Sequence, residues 1–488
     1  MQGFYKITSK LMFSKRWMTI CYASVCLCLI CLSTISGMNK LTIIAAIGAF
    51  VFSLLVLCIH DIKFGFYSML VFGFLLAFID RMSGSRLPLY SIVFLTPFAL
   101  FIFLIIRSIF HHDRFKIDRH LLVYGYFITV VYAVFQLFNP QMESLVGWIS
   151  YIRQSLSLTA LFLVSLYLFQ NLKSIRFFFR FILGAIFITA LYGCIQQWIG
   201  LAPSDRIWVY SDPHILGLYS LPGGSIRKFS FLTDPANFGT LMASGAVGSL
   251  ILALESSSKK IKVLLGAFTA IMFLGMSYSG TRTANIMLAA GLFLYVLMTL
   301  YQRKTRILAV SVGMLFLFIM NAPIYGNPTI NRFRTAFNAP SNNASLDTRL
   351  INREKIRPYL YAHPFGGGVN TTGVTGSKYN PHHALAGIPP DSSLVANLME
   401  NGWVGLAIHL IFLFLIVAFS VHYYYRCQNH EIRSYYAVIA AMLFSLGLVG
   451  GYAQYTLASV PQVFVYIPFI AITIRLHTLD KPQLSKSN

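Results

Sequence analysis

The sequence predicts an all-α polytopic membrane protein of about fourteen transmembrane helices (a range of about 12–14), with a large extracytoplasmic loop before the last three. Three observations predict it. Hydrophobic residues make up 57% of the 488 and charged residues 11%, with a mean hydropathy of +0.67. A soluble chain carries about twice that charged fraction. About fourteen apolar segments of roughly 17–22 residues are each long enough to cross a bilayer. They run without the alternation of a barrel strand, so each must satisfy its own backbone as a helix.

The expected spans are about 17–36, 41–60, 64–80, 88–106, 120–138, 150–169, 178–198, 235–254, 261–278, 284–301, 307–321, 396–420, 434–452 and 459–475, with ends uncertain by several residues. Placing the N-terminus in the cytoplasm sorts their connections into two alternating sets. The inner set holds Lys6, Lys10, Lys15, Arg16, Lys63, Arg107, Arg114, Lys116, Arg119, Lys173, Arg176, Arg180, Lys259, Lys260, Lys262, Arg303, Lys304, Arg306, Arg426, Arg433, Arg475, Lys481 and Lys486, which is 23 of 38 basic residues. Short outer connections have only Lys40, Arg81, Arg86, Arg153 and Arg282 nearby. The remaining ten lie in two long outer loops, 199–233 and 321–395, where the positive-inside bias no longer applies. Residues 1–488 thus read as one integral membrane domain with both termini cytoplasmic, and any chemistry faces out.

The net charge of +23 is largely that of cytoplasmic loops against anionic lipid. Nucleic acid is a poor partner for it, because no basic block adjoins a soluble domain. The seven cysteines show no paired spacing in the outer loops, so no disulfide framework is indicated. Cys21, Cys26, Cys28 and Cys31 read as packing residues of the first span, whose apolar run is too long for a signal peptide and lacks a small-residue cleavage site. Trp17, Trp148, Trp198, Trp208 and Trp403 crowd span ends as interfacial anchors.

The first long loop ends in Arg227-Lys228-Phe229-Ser230-Phe231-Leu232-Thr233-Asp234-Pro235-Ala236-Asn237-Phe238-Gly239. Thr233 or Asp234 can cap the next helix, and Pro235 fits its first turn. Capping leaves Arg227 and Lys228 unexplained. The second loop opens with a polar Asn/Pro stretch, Asn321 to Asn343, expected to be irregular. A short helix capped by Asp347 or Thr348 and limited by Pro358 would carry Arg349, Arg353 and Arg357 on one face. That face is either solvated or an oxyanion-binding row, since guanidinium forks grip phosphate oxygens in pairs. A Gly-rich turn (His363-Pro364-Phe365-Gly366-Gly367-Gly368) and His382-His383 follow. Adjacent histidines point different ways, so no metal site is expected. At the loop exit, Asp391 or Ser392 can cap the next span. Arg282, in Ser279-Gly280-Thr281-Arg282-Thr283, is costly at the hydrocarbon edge unless it snorkels or faces a polar site.

These stretches resemble the O-antigen ligase and polymerase superfamily, membrane glycosyltransferases that act on undecaprenyl-pyrophosphate-linked sugars at the outer face. The resemblance covers roughly residues 220–425: Arg227 to Gly239, Ser279 with Arg282, Arg349 followed by His363-Pro364-x-Gly366-x-Gly368, and Asp391-Ser392-Ser393-Leu394 leading to Glu400-x-Gly402-x-x-Gly405. The ligase branch usually has His-Asn at the loop exit. Asp391-Ser392 at that place looks more like the polymerase branch. The resemblance implies polymerisation of lipid-linked repeat units into a surface polysaccharide, whether teichuronic acid, capsule, exopolysaccharide or O-antigen. It also implies a flippase and a chain-length regulator as partners beside the bilayer.

In such a reaction, negative charge grows on the leaving pyrophosphate oxygen, and fixed cations lower the barrier. Arg282 and Arg349 are the first candidates. Arg227 and Arg353 form a second pair, and Lys228, Arg357 and Glu400 are further substrate contacts. Arginine stays charged, so the base must be a carboxylate or imidazole: Asp391, with His383 as runner-up. No paired carboxylates with metal spacing occur in the outer loops, and no P-loop or other cofactor motif occurs, so a metal-independent reaction without a cofactor is expected. The rivals are a ligase moving finished glycan, a lipid-linked oligosaccharide flippase, a peptidoglycan-type polymerase and a scaffold. A flippase would carry ionisable residues near midplane, where these spans have few.

The charge split makes a topological prediction. Cysteines introduced near Gly223 and Asn342 should react with a membrane-impermeant thiol reagent on intact cells, and ones near Ser257 and Gln302 should not. The reverse pattern would overturn the orientation.

Overall fold

The computed structural model describes residues 61–82, 89–111, 117–221, 224–324, 326–338, 344–457 and 459–480. The first two expected spans, with Cys21, Cys26, Cys28, Cys31 and Cys58, lie outside the described residues. Twelve helices among those described are long and apolar enough to cross a membrane. In chain order the helices are α1 (Ile62–Met82), α2 (Leu89–His111), α3 (Leu121–Phe135), α4 (Leu145–Leu168), α5 (Leu172–Trp198), the short α6 (Pro203–Val209) and α7 (Pro213–Tyr219), α8 (Pro235–Glu255), α9 (Lys259–Tyr278), α10 (Arg282–Thr299) and α11 (Arg303–Asn321). Then come α12 (Pro328–Phe337), α13 (Ala344–Ala362), α14 (Gly373–Tyr379), α15 (Ser393–Arg426), α16 (His430–Leu443), α17 (Gly451–Ala453) and α18 (Gln462–Leu476). Between α16 and α17, Phe444–Gly450 forms a widened π turn, so the two run on as one span.

Each of these twelve corresponds to an expected span, but several start earlier than hydropathy suggests. Ser144, Asn171 and Asn429 cap α4, α5 and α16 through their side chains, recruiting a polar first turn that an apolar window cannot see. At 34 residues, α15 outruns a bilayer, and its backbone breaks at Gly402, where φ is 69° and ψ −169°.

Helix α8 forms the centre of the bundle, with 83% of its span buried against 6% for α11 at the periphery. Its small residues allow this. A Cβ on Gly245 would lie 2.6 Å from Ile186, and one on Gly248 2.7 Å from Met442. Without a hydrophobic driving force between helices in lipid, such close backbone approach supplies the packing attraction.

Ion pairs tie one end together. Arg176 meets Glu431 through two hydrogen bonds of 2.7 Å, Lys304 meets Glu255 at 2.8 Å, and Arg475 meets Asp118 at 2.8 Å. Every partner belongs to a connection that the charge pattern assigns to the cytoplasmic side.

At the opposite end, the 199–234 segment folds over Arg81. Its side chain is 2% exposed and pairs at 3.2 Å with Asp205, which is fully buried. Arg81 also donates to the carbonyls of Ser230 and Leu232. Asp205 accepts from Tyr192 and Gln196, and Gln196 in turn accepts the Ser230 N–H at 2.8 Å. The sequence reading had Arg81 only as a charge near a short connection, whereas it is the post around which the loop is wound.

Two local expectations are corrected. The Asn321–Asn343 stretch is not irregular throughout, because Asn327 caps α12 and Pro328 occupies its first turn. Pro358 does not end its helix either. Helix α13 passes through it to Ala362, held on the far side by packing of Ile356 and Leu360 against Leu385 and Met399.

Breaking the buried pair should therefore unfold the segment. Asp205→Asn should lower stability by about 3 kcal/mol, since it leaves a buried guanidinium uncompensated. Thermal unfolding in detergent measures this, and an unchanged transition would show the pair to be dispensable.

Candidate functional site

The Ser279–Thr281 turn between α9 and α10 organises the basic residues. Gly280, at φ +61°, lets the chain reverse there. The turn's polar atoms then hold arginines from two loops. Arg227 donates from Nε to the Ser279 carbonyl at 2.9 Å, from Nη2 to Thr281 Oγ1 at 2.9 Å and from Nη1 to the Leu218 carbonyl at 3.1 Å. Arg332 of α12 donates from Nε to the Gly280 carbonyl at 3.1 Å. Arg282 begins α10 directly after the turn and lies within electrostatic reach of Arg332 and Arg349.

Arg349, on α13, reaches across to the end of α17. It donates to the Ala453 carbonyl at 2.9 Å and to Gln454 Oε1 at 3.3 Å. One turn further, the Arg353 guanidinium lies 5.5 Å from the Tyr452 ring centre, and its buried Nε has no hydrogen-bond partner among the described residues. Arg357 takes a different course. It is exposed and lies over the Tyr361 ring at 5.7 Å. Lys228 is half-buried, its backbone N–H bonded to the Tyr278 carbonyl and its ammonium held below its ordinary range by burial.

Arg227, Arg282, Arg332, Arg349 and Arg353 are thus gathered at one end, and the hydrogen bonds of Arg227, Arg332 and Arg349 go to neutral acceptors. Electrostatics reflects the crowding. Burial first, then the charge of Arg332, pushes Arg227 down to about 10. Burial also lowers Arg332 and Arg349; in the latter case Asp391 opposes the shift and Arg353 adds to it. An arriving phosphate would relieve the repulsion between these guanidiniums.

Asp234 lies within electrostatic reach of Arg227, and Asp391 within reach of Arg349. The competing role of Asp391 as a helix cap is filled by Ser392, whose Oγ accepts the Val395 N–H at 3.3 Å. Asp391 Oδ1 has a 3.5 Å contact with the Asn352 amide and feels the charge of Arg349. At the first loop the outcome is opposite. Asp234 does cap α8, accepting from the N–H groups of Ala236 and Asn237.

His383 is built in differently. It is 7% exposed, its Nδ1 accepts the Leu385 N–H at 3.1 Å, and its Nε2 lies 3.2 Å from the Tyr359 hydroxyl. Both ring nitrogens are engaged, which suits a structural imidazole. The Gly-rich turn is structural too. Gly367 and Gly368 donate to the carbonyls of Met399 and Glu400 at 2.9 Å, and a Cβ on Gly366 would sit 2.4 Å from the Gly402 nitrogen. Backbone thus packs on backbone at the break in α15, where Tyr132 also satisfies the Asn401 carbonyl at 2.7 Å. Glu400 accepts from the Thr372 hydroxyl at 2.8 Å and lines a cavity of about 350 Å³ rather than joining the arginines.

Arg332 and Gln454 were not singled out from the sequence. Asn327-Pro328, a cap followed by a first-turn proline, was the signal that could have put Arg332 on a helix. Nothing local marks Gln454.

Residues 267–410 match the family described as O-antigen ligase, which supports a likeness to the O-antigen ligase/polymerase superfamily over that part of the chain. The match spans the turn, α12, α13 and the loop exit. No curated protein matches the chain.

The position of His383 gives a pH dependence. Burial holds it below the ordinary histidine range, with Glu143 opposing and His363 adding to the shift. The unfolded chain therefore binds this proton more readily, so stability is present above about pH 6.5 and falls as pH drops towards the lower folded value. The melting temperature should decline from about pH 7 to 5, and less steeply in His383→Gln. Equal slopes would remove the imidazole from the fold's proton balance.

Proposed function

From that superfamily, we propose that the chain polymerises undecaprenyl-pyrophosphate-linked oligosaccharide repeat units into a surface or cell-wall polysaccharide. The reaction takes place at the outer face of the cytoplasmic membrane, with both termini inside. The observation that carries the reading is the gathering of Arg227, Arg282, Arg332 and Arg349 from four segments around one turn, with Asp391 beside Arg349. A site for one phosphate needs one or two arginines; a lipid pyrophosphate with a departing oxygen uses several.

The chemistry follows from these roles. A sugar hydroxyl attacks the anomeric carbon of the lipid-linked chain, and its proton passes to the Asp391 carboxylate. The new glycosidic bond forms as the bond from anomeric carbon to phosphate oxygen breaks, and the electron pair leaves with the lipid pyrophosphate. Arg282 and Arg349 stabilise the charge growing there, and Arg227 and Arg332 hold the remaining oxygens. Each such fixed donor is worth about 10²–10³ in rate. A ligase is the second reading, favoured by the description of the matching family. Against it, Asp391-Ser392 stands where the ligase branch carries His-Asn, and both nitrogens of His383 are engaged.

Substitution tests the roles. Arg282→Ala and Arg349→Ala should abolish polymer while insertion and protein level persist, and Arg282→Lys should rescue only partly, because lysine lacks the fork. Full polymer from Arg282→Ala at normal expression would remove it from the site. Asp391→Asn should stop chain extension, so that single repeat units accumulate on the carrier lipid, whereas His383→Gln should still extend. Normal polymer from Asp391→Asn with none from His383→Gln would move the base to the histidine and favour the ligase.

A further inference from the structure

The cavity of about 350 Å³ that Glu400 lines is separate from the arginine cluster but shares a wall with it. It runs from loop level, at Asn370 and Thr375, down between α3, α4, α15 and α18 to Phe412 and Tyr466. The shared wall is the 453–457 segment. Ala453 and Gln454 receive Arg349, the Gln454 carbonyl accepts the Ser393 N–H at 3.2 Å, and Ser393 Oγ accepts the Leu457 N–H at 3.2 Å. Ser393, Tyr455 and Leu457 face the cavity from the other side.

Its walls are largely apolar but carry polar groups that a lipid tail cannot satisfy. Tyr151, Asn397, Glu400, His409, Tyr455 and Tyr466 present polar groups inside a bundle of apolar helices. Two of these, the Asn397 Oδ1 and the Tyr466 hydroxyl, are buried with no hydrogen-bond partner among the described residues. Each costs free energy in a dry interior, and an isoprenoid chain would leave that cost in place. A sugar ring removes it, because its hydroxyls donate to the amide oxygen and the carboxylate and accept from the phenol. Its C–H faces pack on tyrosine rings. The volume lies at the lower end of the range for small-molecule sites, enough for one or two sugar residues.

We propose that this cavity is a sugar-binding subsite that holds a residue of the lipid-linked glycan next to the arginine cluster. It rests on the polymerase reading for the identity of that glycan. Asn397, Glu400 and Tyr466 read its hydroxyls.

Asn397→Leu separates a subsite from a merely tolerated cavity. Leucine has similar size and removes the orphan acceptor, so the empty protein should melt at the same temperature or a few degrees higher. The probe is a set of repeat-unit oligosaccharides released by mild acid from the surface polysaccharide of cells that carry the protein. Saturation-transfer NMR with the full chain in detergent should show these sugars bound to wild type and to Arg349→Ala. Asn397→Leu and Tyr466→Phe should lose the signal, and polymer yield should fall at least about tenfold in each. Absence of transfer to wild type, or unchanged transfer and polymer in Asn397→Leu, would overturn the subsite. Polymer made normally by Arg349→Ala, with the NMR signal intact, would instead count against the polymerase roles and leave the sugar site standing.

Discussion

A guanidinium at the edge of hydrocarbon must be compensated, and the two ends of this bundle meet that requirement by different means. At one end, carboxylates answer the cations: Glu431 for Arg176, Glu255 for Lys304, Asp118 for Arg475. At the other, the buried pair of Arg81 with Asp205 fastens the 199–234 segment onto the helices. That fastening fixes Ser230 and Leu232, and with them the stretch from which Arg227 reaches the Ser279–Thr281 turn. Arg227, Arg332 and Arg349 there donate to carbonyls, a hydroxyl and an amide. These neutral contacts orient them, while Asp234 and Asp391 act on Arg227 and Arg349 through charge alone. Orientation without neutralisation is what an anion site requires, because a carboxylate already in the fork would compete with the phosphate.

The second half of the site depends on the break in α15. Gly402 takes a backbone conformation that a side chain would clash with, and the Gly366–Gly368 turn closes against it. The helix above the break carries Ser392, Ser393, Asn397 and Glu400, and the helix below carries the long apolar span. Loop-side and membrane-crossing parts are therefore consecutive in one helix yet aimed independently.

Much of this was legible in the sequence. Hydropathy locates the twelve long helices because each must be apolar for about twenty residues. It places their starts late, since caps such as Ser144 and Asn171 extend helices into polar sequence. Arg227, Arg282 and Arg349 stand out as charges without a membrane-orienting role, and the structure gathers them. Arg357 shows where spacing misleads. It shares a periodicity with Arg349 and Arg353 but lies over Tyr361, whereas Arg353 lies over Tyr452, next to the Ala453 that receives Arg349. Whether Asp391 or Ser392 caps α15 was undecidable from sequence, as both residue types do it equally well. The cavity was invisible for a different reason. Its walls come from residues between 126 and 467, brought together only by packing.

The widened turn at Phe444–Gly450 has a bearing on how such a protein can change. A π turn holds one residue more than the α-helix it interrupts, and its wider winding absorbs that residue, so the helix beyond keeps its direction. What lies beyond is Ala453, Gln454 and Tyr455: the carbonyl and amide that aim Arg349, and one wall of the cavity. The turn therefore stores slack in chain length without changing azimuth. A descendant lineage that lost one codon here would wind it as ordinary α-helix and still present the same side chains to the arginine and the pocket.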